Sequence, residues 1–443
     1  MTSPNRPRFS MWLTLGLCTS IHLACGSSSN GDRADNSTTV PTSSTTTTPS
    51  PSTTASGTTP TTTPTSARPA YIVNGPIRTW FAANNATAED VNPRYNKELN
   101  PNYPDPYPPY PYTWGYSSMM GAWSGAAFDP TTKTWRFCGE GHGDGSGNQV
   151  VDFSAGADSP SFKLTKPPTS VVTPVNNGLY PDGSPVARHT YNNMVAYDGE
   201  LVLFGGASYP NGNAIKDVVR LDVSGTWHQD YLDPYPGGLW GDTAAWGLCA
   251  PQWEPDGTLR YVFWAPSQGT DLPCRKWDLK TRTWGDPIFS YTPGAYTAAQ
   301  WLPDRKVLVI LSGDTLYAWN EGIQKPTAVM VENAPSPQNS VLGQYGLTYD
   351  RKRSRLYLWN GGTNPGSIIT LTPPATGQEL TAPWKYGVLA NTATPPLFAA
   401  TDTGRPDNAA YGGTFGRLVY VEDWDAVLLV SRTSDPVSVL KLE

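Results

Sequence analysis

Charge is scarce in this chain: Asp, Glu, Lys and Arg make up 15% of it, and 31 basic against 37 acidic residues leave a net charge of −6. Such a surface offers no basic footprint for nucleic acid and no polybasic patch for an anionic membrane. Histidine is scarcer still, with four in 443 residues and none after His228. The apolar run near the N-terminus, Met11 to Leu17, is too short to cross a bilayer. What the chain has instead is 42 Gly, 44 Pro, 17 Trp and 23 Tyr, a composition of turns and aromatic strands that excludes a helical bundle or a coiled coil. Length alone allows one large all-β domain or two or three smaller ones.

Arg6 and Arg8 precede the apolar run and Leu23-Ala24-Cys25-Gly26 follows it, so residues 1–25 are expected to be an export signal. Leu23-Ala24-Cys25 resembles the end of a bacterial lipobox, with His22 where an aliphatic residue is usual. That resemblance implies lipidation of Cys25 and a place on the outer membrane or cell surface; signal cleavage without a lipid, giving a secreted protein, is the other reading. A lipid anchor would be the only membrane contact. Residues 26–69 follow as a linker, and from Ser37 to Ser66 only Val40, Ala55 and Gly57 are not Ser, Thr or Pro. A segment of this kind buries no apolar area and is expected to be disordered. At about 3.1 Å per residue in polyproline II it reaches roughly 100 Å, the dimension of a stalk.

From residue 70 to 443 a pattern repeats. Six apolar strands recur at Lys133–Gly139, Leu201–Gly206, Arg260–Trp264, Lys306–Gly313, Arg355–Gly362 and Ala426–Val430. Each is preceded by a strand ending in an acidic or Pro-rich turn, such as Phe128-Asp-Pro, Tyr197-Asp-Gly and Trp301-Leu-Pro-Asp. A third strand follows most of them, and a fourth often opens on tryptophan, at Trp227, Trp284 and Trp384. Four short strands in a period of about fifty residues, with Gly-Gly closing the second and Trp opening the fourth, resemble the kelch repeat of β-propellers, the architecture of the middle domain of galactose oxidase. The fold expected is all-β: a six-bladed kelch-like propeller. The sixth repeat ends after three strands, and Ile77-Arg-Thr-Trp-Phe, with Trp80 in the expected place, can supply its fourth and close the ring. A seventh blade within 84–118 is disfavoured by the prolines of that segment.

In such blades the loops between strands two and three, and those leading to the next blade, emerge on one face. The long connections here, 84–118, 166–190, 229–242 and 386–411, belong to that face. Tyr107, Tyr110, Tyr112, Trp114 and Tyr116 are spaced by prolines within the first, and flat rings on a rim can stack on sugars. Packing over the propeller as a cap is the alternative role. His142 sits in a loop where polar residues alternate with glycine, Glu140-Gly-His-Gly-Asp-Gly-Ser-Gly-Asn148, and Arg188-His189-Thr-Tyr191 opens the adjacent blade. His142, His189 and Tyr191 are candidate acid and base, and Arg188 a candidate to neutralise a substrate carboxylate, as β-elimination of a uronate polymer requires. Asp144 and Asn148 are candidate substrate contacts. The same residues could instead bind a ligand without chemistry, or tie neighbouring blades together. Glu140, His142 and Asp144 also alternate as in a metal loop, though with fewer carboxylates than calcium takes and fewer His or Cys than zinc takes. His228 is expected to face solvent.

A copper-radical oxidase needs two histidines and two tyrosines with ligands late in the chain, and the lack of histidine after His228 argues against one. Setting aside Cys18 and Cys25, three cysteines remain, and a Cys249–Cys274 disulfide leaving Cys138 free is expected. The function expected is an exported, surface-tethered, monomeric propeller that binds an extracellular polymer, a glycan above others, through its aromatic loop face. A polysaccharide lyase or hydrolase on that face and a protein-interaction platform are the alternatives. No cofactor other than the metal in question is implied.

Overall fold

A computed structural model of the chain describes residues 68–93, 115–121, 123–142, 144–170, 177–233, 247–266, 271–292, 296–313, 315–334, 345–359, 368–390 and 413–443. Alternating apolar strands with tight turns dictate antiparallel hairpins, and the described residues form six sheets of this kind, antiparallel except where Val331–Glu332 joins the fifth in parallel with Trp384–Lys385. The first blade is Ala126–Asp129, Thr134–Cys138, Val150–Phe153 and Phe162–Lys166; the second is Met194–Tyr197, Glu200–Phe204, Asp217–Leu221 and Trp227–Leu232. The third to fifth begin at Leu248–Trp253, Thr297–Leu302 and Gly346–Asp350. The sixth, Leu418–Val421, Ala426–Leu429 and Ser438–Lys441, is completed by Trp80–Ala82, with Trp80 opposite Leu440 and Ala82 opposite Ser438. The N-terminal strand therefore closes the ring by completing the sixth blade, and each blade keeps only a short outer edge strand.

Each hairpin joining the first two strands turns on a left-handed residue: Lys133, Asp198, Gly257, Lys306, Ser354 and Asp425, with φ from 47° to 84°. The acidic turns have a cause as well. Asp129 Oδ1 accepts the N–H groups of Thr131 and Thr132, and Asp350 Oδ1 that of Arg353, so the carboxylate pairs backbone donors that the turn leaves open.

The core lies in the seams between blades. Six apolar clusters fill them, from Val219 with Cys138 between the first and second blades round to Trp135 with Leu428 between the sixth and first. The fourth-strand tryptophans seal these seams: Trp80 and Trp384 lie inside clusters, and Trp227 and Trp284 pack against them. The inner strands surround a central channel of about 540 Å³, lined by Ala126–Phe128, Met194–Ala196, Ala299–Trp301, Leu347–Tyr349 and Leu418–Val421.

The expected disulfide is absent. Cys138, Cys249 and Cys274 are all free and buried. Cys249 lies on the first strand of its blade and Cys274 on the third, with Leu259–Ala265 between them. Two strand spacings put them about 9–10 Å apart, beyond the ~7 Å a disulfide spans. Cys249 also packs toward the second blade and Cys274 toward the fourth, so their thiols point to opposite seams. Burial raises the Cys138 thiol to about 12 and leaves it inert. The signal, Cys25 and the linker at 26–67 lie outside the described residues. No helix among the described residues is long and apolar enough to cross a membrane.

Candidate functional site

Two loops meet on the face where the inner strands begin. The first follows Cys138, and its glycines are there because backbone must pass close to backbone. Gly141 takes φ 93°, and a Cβ on it would lie 2.3 Å from Arg188 Cα. The turn is closed by Gly141 N–H to Gly145 O at 2.8 Å and Asp144 N–H to Gly141 O at 2.9 Å. The second, Arg188–His189, pairs with Ala207–Ser208 as a short ribbon. This packing brings His142 and His189 together, their rings stacked with centroids 5.6 Å apart. His142 is exposed and lies over Gly212, where a Cβ would come within 1.9 Å of its Cδ2. His189 lies behind it, 2% exposed.

Asp144 Oδ2 lies 2.5 Å from His189 Nε2, so that nitrogen carries the proton and donates it to the carboxylate. Nδ1 is then the acceptor, and Tyr191 Oη faces it at 3.5 Å. Burial lowers the His189 pKa, the stacked His142 lowers it further, and Asp144 opposes both. The Tyr191 hydroxyl is held well above its ordinary value, chiefly by burial. The arrangement is a neutral imidazole with a carboxylate ready to stabilise its cation, linked to a protonated phenol. In chemical terms it can take a proton at Nδ1 and return it.

Around this pair stand aromatic residues, of which the sequence reading held Tyr191 and missed Trp123, Tyr296 and Phe415. Trp123 lies 5.4 Å from His189, Tyr191 6.0 Å from Tyr296 and 5.7 Å from Phe415, centroid to centroid. Trp123, Tyr191, Tyr296 and Phe415 each stand one to three residues before an inner strand, in the first, second, fourth and sixth blades. All four take left-handed φ, from 44° to 56°, as does His142 at 46°. A bulky residue in that region is strained, and strain of this kind collects at functional sites. Asn192 and Gly416, next in the chain to Tyr191 and Phe415, line the channel, so the aromatic residues form a collar at its loop end. Spacing alone gave no signal for them; an aromatic just before every inner strand was the pattern to seek.

Other expected contacts fall elsewhere. Arg188 is 1% exposed, and its guanidinium meets Asp217 at 2.6 and 3.2 Å and the Gly205 carbonyl at 3.0 Å. It forms a buried ion pair, so its guanidinium is turned to Asp217 and not to solvent. Asn148 is buried, donating to Ser184 Oγ and the Pro185 carbonyl and accepting from Thr169 N–H. Tyr116 is 2% exposed and donates to the Ala88 carbonyl, so it packs as a cap. Asp144 serves His189 from within. Tyr107, Tyr110, Tyr112 and Trp114 lie outside the described residues. Glu140 turns away from His142, accepting from Gly147 N–H at 2.8 Å and Gln149 Nε2 at 2.5 Å, so Glu140, His142 and Asp144 do not converge on a metal. Among the described residues no group of three His, Cys, Asp or Glu is placed to hold one. His228, paired with Asp222 at 2.8 Å, keeps 40% of its side chain in solvent.

No family model matches the chain, and no curated protein matches it. Among solved structures it is similar to a GH74 enzyme of Niastella koreensis, with 12% identity and a TM-score of 0.40 over 72% of this chain and 45% of that one. The chain thus spans under half the length of that enzyme. It is also similar to an auxiliary nutrient binding protein of Bacteroides ovatus, at 9% identity, TM-score 0.37, 72% of this chain and 69% of that one. A nidogen/laminin complex gives 8% identity, TM-score 0.34, 56% and 75%. Likenesses of this size carry no argument about what the site does.

Proposed function

We propose that this protein is an exported, tethered propeller of kelch type whose loop face engages an extracellular glycan. The observation that carries the reading is the collar: Trp123, His142 and Tyr296 offer ring surface to solvent, while Tyr191, Phe415 and His189 back them. Rings fixed by strained backbone lose little freedom on binding, and sugar faces stack on them at small entropic cost. A Ser/Thr/Pro linker with a reach of roughly 100 Å would let a tethered domain meet a polymer outside the envelope. Retention of the purified protein on immobilised acidic and neutral polysaccharides tests this, with Trp123→Ala and Tyr296→Ala expected to weaken the retained case about tenfold each, some 1.4 kcal/mol. Wild-type affinity in both variants would remove the proposal.

A second reading, a carbohydrate-active enzyme at the same place, is favoured by the Asp144–His189–Tyr191 chain, which a pure stacking platform does not need. With Arg188 committed to Asp217, a lyase would have to find its carboxylate-neutralising group elsewhere. Reducing ends and unsaturated-uronate absorbance over the same panel decide it. An enzyme loses about 10²-fold or more in turnover when His189 becomes Ala.

A further inference from the structure

Arg417 precedes the inner strand of the sixth blade, and its side chain is wholly buried. Its Nη1 and Nη2 donate to the backbone carbonyls of Ser431 and Gly413, and its Nε has no partner. Among the described residues no carboxylate forms an ion pair with it; Asp435 acts on it only through space and is paired with Arg432 at 2.9 Å. The second blade shows what is missing. There Arg188 donates to the carbonyl of Gly205, two residues past Leu203, which faces the first inner-strand residue Met194. Ser431 holds the same place relative to Leu429 and Leu418. Asp217 neutralises Arg188, and among the described residues no carboxylate of the sixth blade pairs with Arg417.

Three hydroxyls share this want of partners. Thr414 Oγ1, Ser431 Oγ and Ser438 Oγ are buried and unpaired. Thr414 packs toward Gly346 of the fifth blade, where a Cβ would lie 2.9 Å from its Cγ2. Ser438 faces Leu429, and cross-strand partners project to the same side, here the seam between the fifth and sixth blades. The guanidinium and the hydroxyls thus gather at the loop end of one seam. A buried guanidinium with only carbonyl dipoles to meet its charge is strongly destabilising, and so are buried donors without acceptors. One small anion placed among them would meet the guanidinium and the hydroxyl donors alike. Nη1 and Nη2 each give one N–H to a carbonyl and the side chain is shielded from solvent, which favours a small anion over a bulky carboxylate or sulfate.

We propose that Arg417, Thr414, Ser431 and Ser438 enclose a monatomic halide, chloride in ordinary solution, that completes the seam between the fifth and sixth blades. The inference is independent of what the collar binds. The full chain is crystallised from bromide and its anomalous signal measured, and in solution Tm is followed against bromide at fixed ionic strength balanced with gluconate. One bromide in contact with Arg417 Nε is expected, with Tm rising about 2 °C for each tenfold increase above the dissociation constant. Arg417→Met should flatten that rise. Should Arg417→Met not fold, Thr414→Val and Ser438→Val keep the guanidinium, and each should move the bromide curve to about tenfold higher concentration. A water at the position, a Tm indifferent to bromide, an equal rise with sulfate, or an unmoved curve in both hydroxyl variants would overturn the proposal.

Discussion

Replacing Arg188 by Met separates the two roles open to that residue. Its guanidinium meets Asp217 at 2.6 Å, and the two side chains are 1% and 0% exposed. It also donates to the carbonyls of Val186 and Gly205. Removing one member of a buried pair leaves the other charged in a poor medium, which costs about 3–5 kcal/mol. For a domain of roughly 370 residues the unfolding entropy is about 0.8 kcal/mol/K, so Tm should fall by about 4–6 °C. The loss should shrink in acid, because burial already raises the Asp217 pKa and, without Arg188 to oppose it, the carboxyl protonates readily. Arg188→Met with Asp217→Leu should recover most of the loss, since an apolar pair of similar volume is often as stable as the ionic one. Scanning calorimetry of the three proteins at neutral and acid pH, beside glycan retention, reads both roles at once. The reasoning is refuted if Arg188→Met melts within 1 °C of wild type while retention or turnover collapses, the signature of a substrate contact.

Three further outcomes follow from the same geometry. His189 has a native pKa below its ordinary 6.5, so between the two values the unfolded chain holds a proton that the folded chain lacks. Stability should therefore be full above pH 6.5 and decline below it by up to about 1.4 kcal/mol per pH unit for this proton, a slope that His189→Asn removes and that urea melts across pH can measure. Gly212→Ala places a methyl against His142, so it should displace that ring and weaken glycan retention several-fold; a variant that folds and binds as wild type would show that His142 is not a contact. Thiol titration should find Cys138, Cys249 and Cys274 silent in the native protein and reactive after denaturation without reductant, whereas a mass two hydrogens lighter would restore the disulfide.

The ring of blades could be read from the chain because its physics is local and repeated. A hairpin with an acidic turn, a second strand of unbroken apolar residues and a tryptophan at the outer strand each leave a mark at fixed spacing, and the closing strand was legible because Trp80 carries the same mark. Pairings across the blade left no such mark. Cys249 and Cys274 are near in sequence and on one sheet, but the strand between them and the alternation of side chains send their thiols to different seams. Arg188 read as a substrate contact because its neighbour His189 does face the loops; in a two-residue strand, adjacent side chains take opposite sides, and Asp217, which claims it, lies 29 residues on.

Trp123, Tyr296 and Phe415 of the collar fell outside the reading for a different reason. The collar's members come from four blades and share a backbone state, left-handed φ just before the inner strand, which residue type conceals because glycine and asparagine are its usual marks. Trp123, Tyr191, Tyr296 and Phe415 hold that state against its cost because the turn must bring backbone of adjacent blades together. Tyr191 N–H reaches the Trp123 carbonyl at 2.8 Å, and a Cβ on Gly125 or Gly416 would strike the carbonyl of Tyr191 or Ala126 at 1.9 Å. The same turn throws each large side chain toward the axis of the ring. Blade closure and the aromatic mouth are thus one construction: the contacts that tie neighbouring blades at the loop face also set the rings there, and a substitution that relaxes the strained turns should loosen both together.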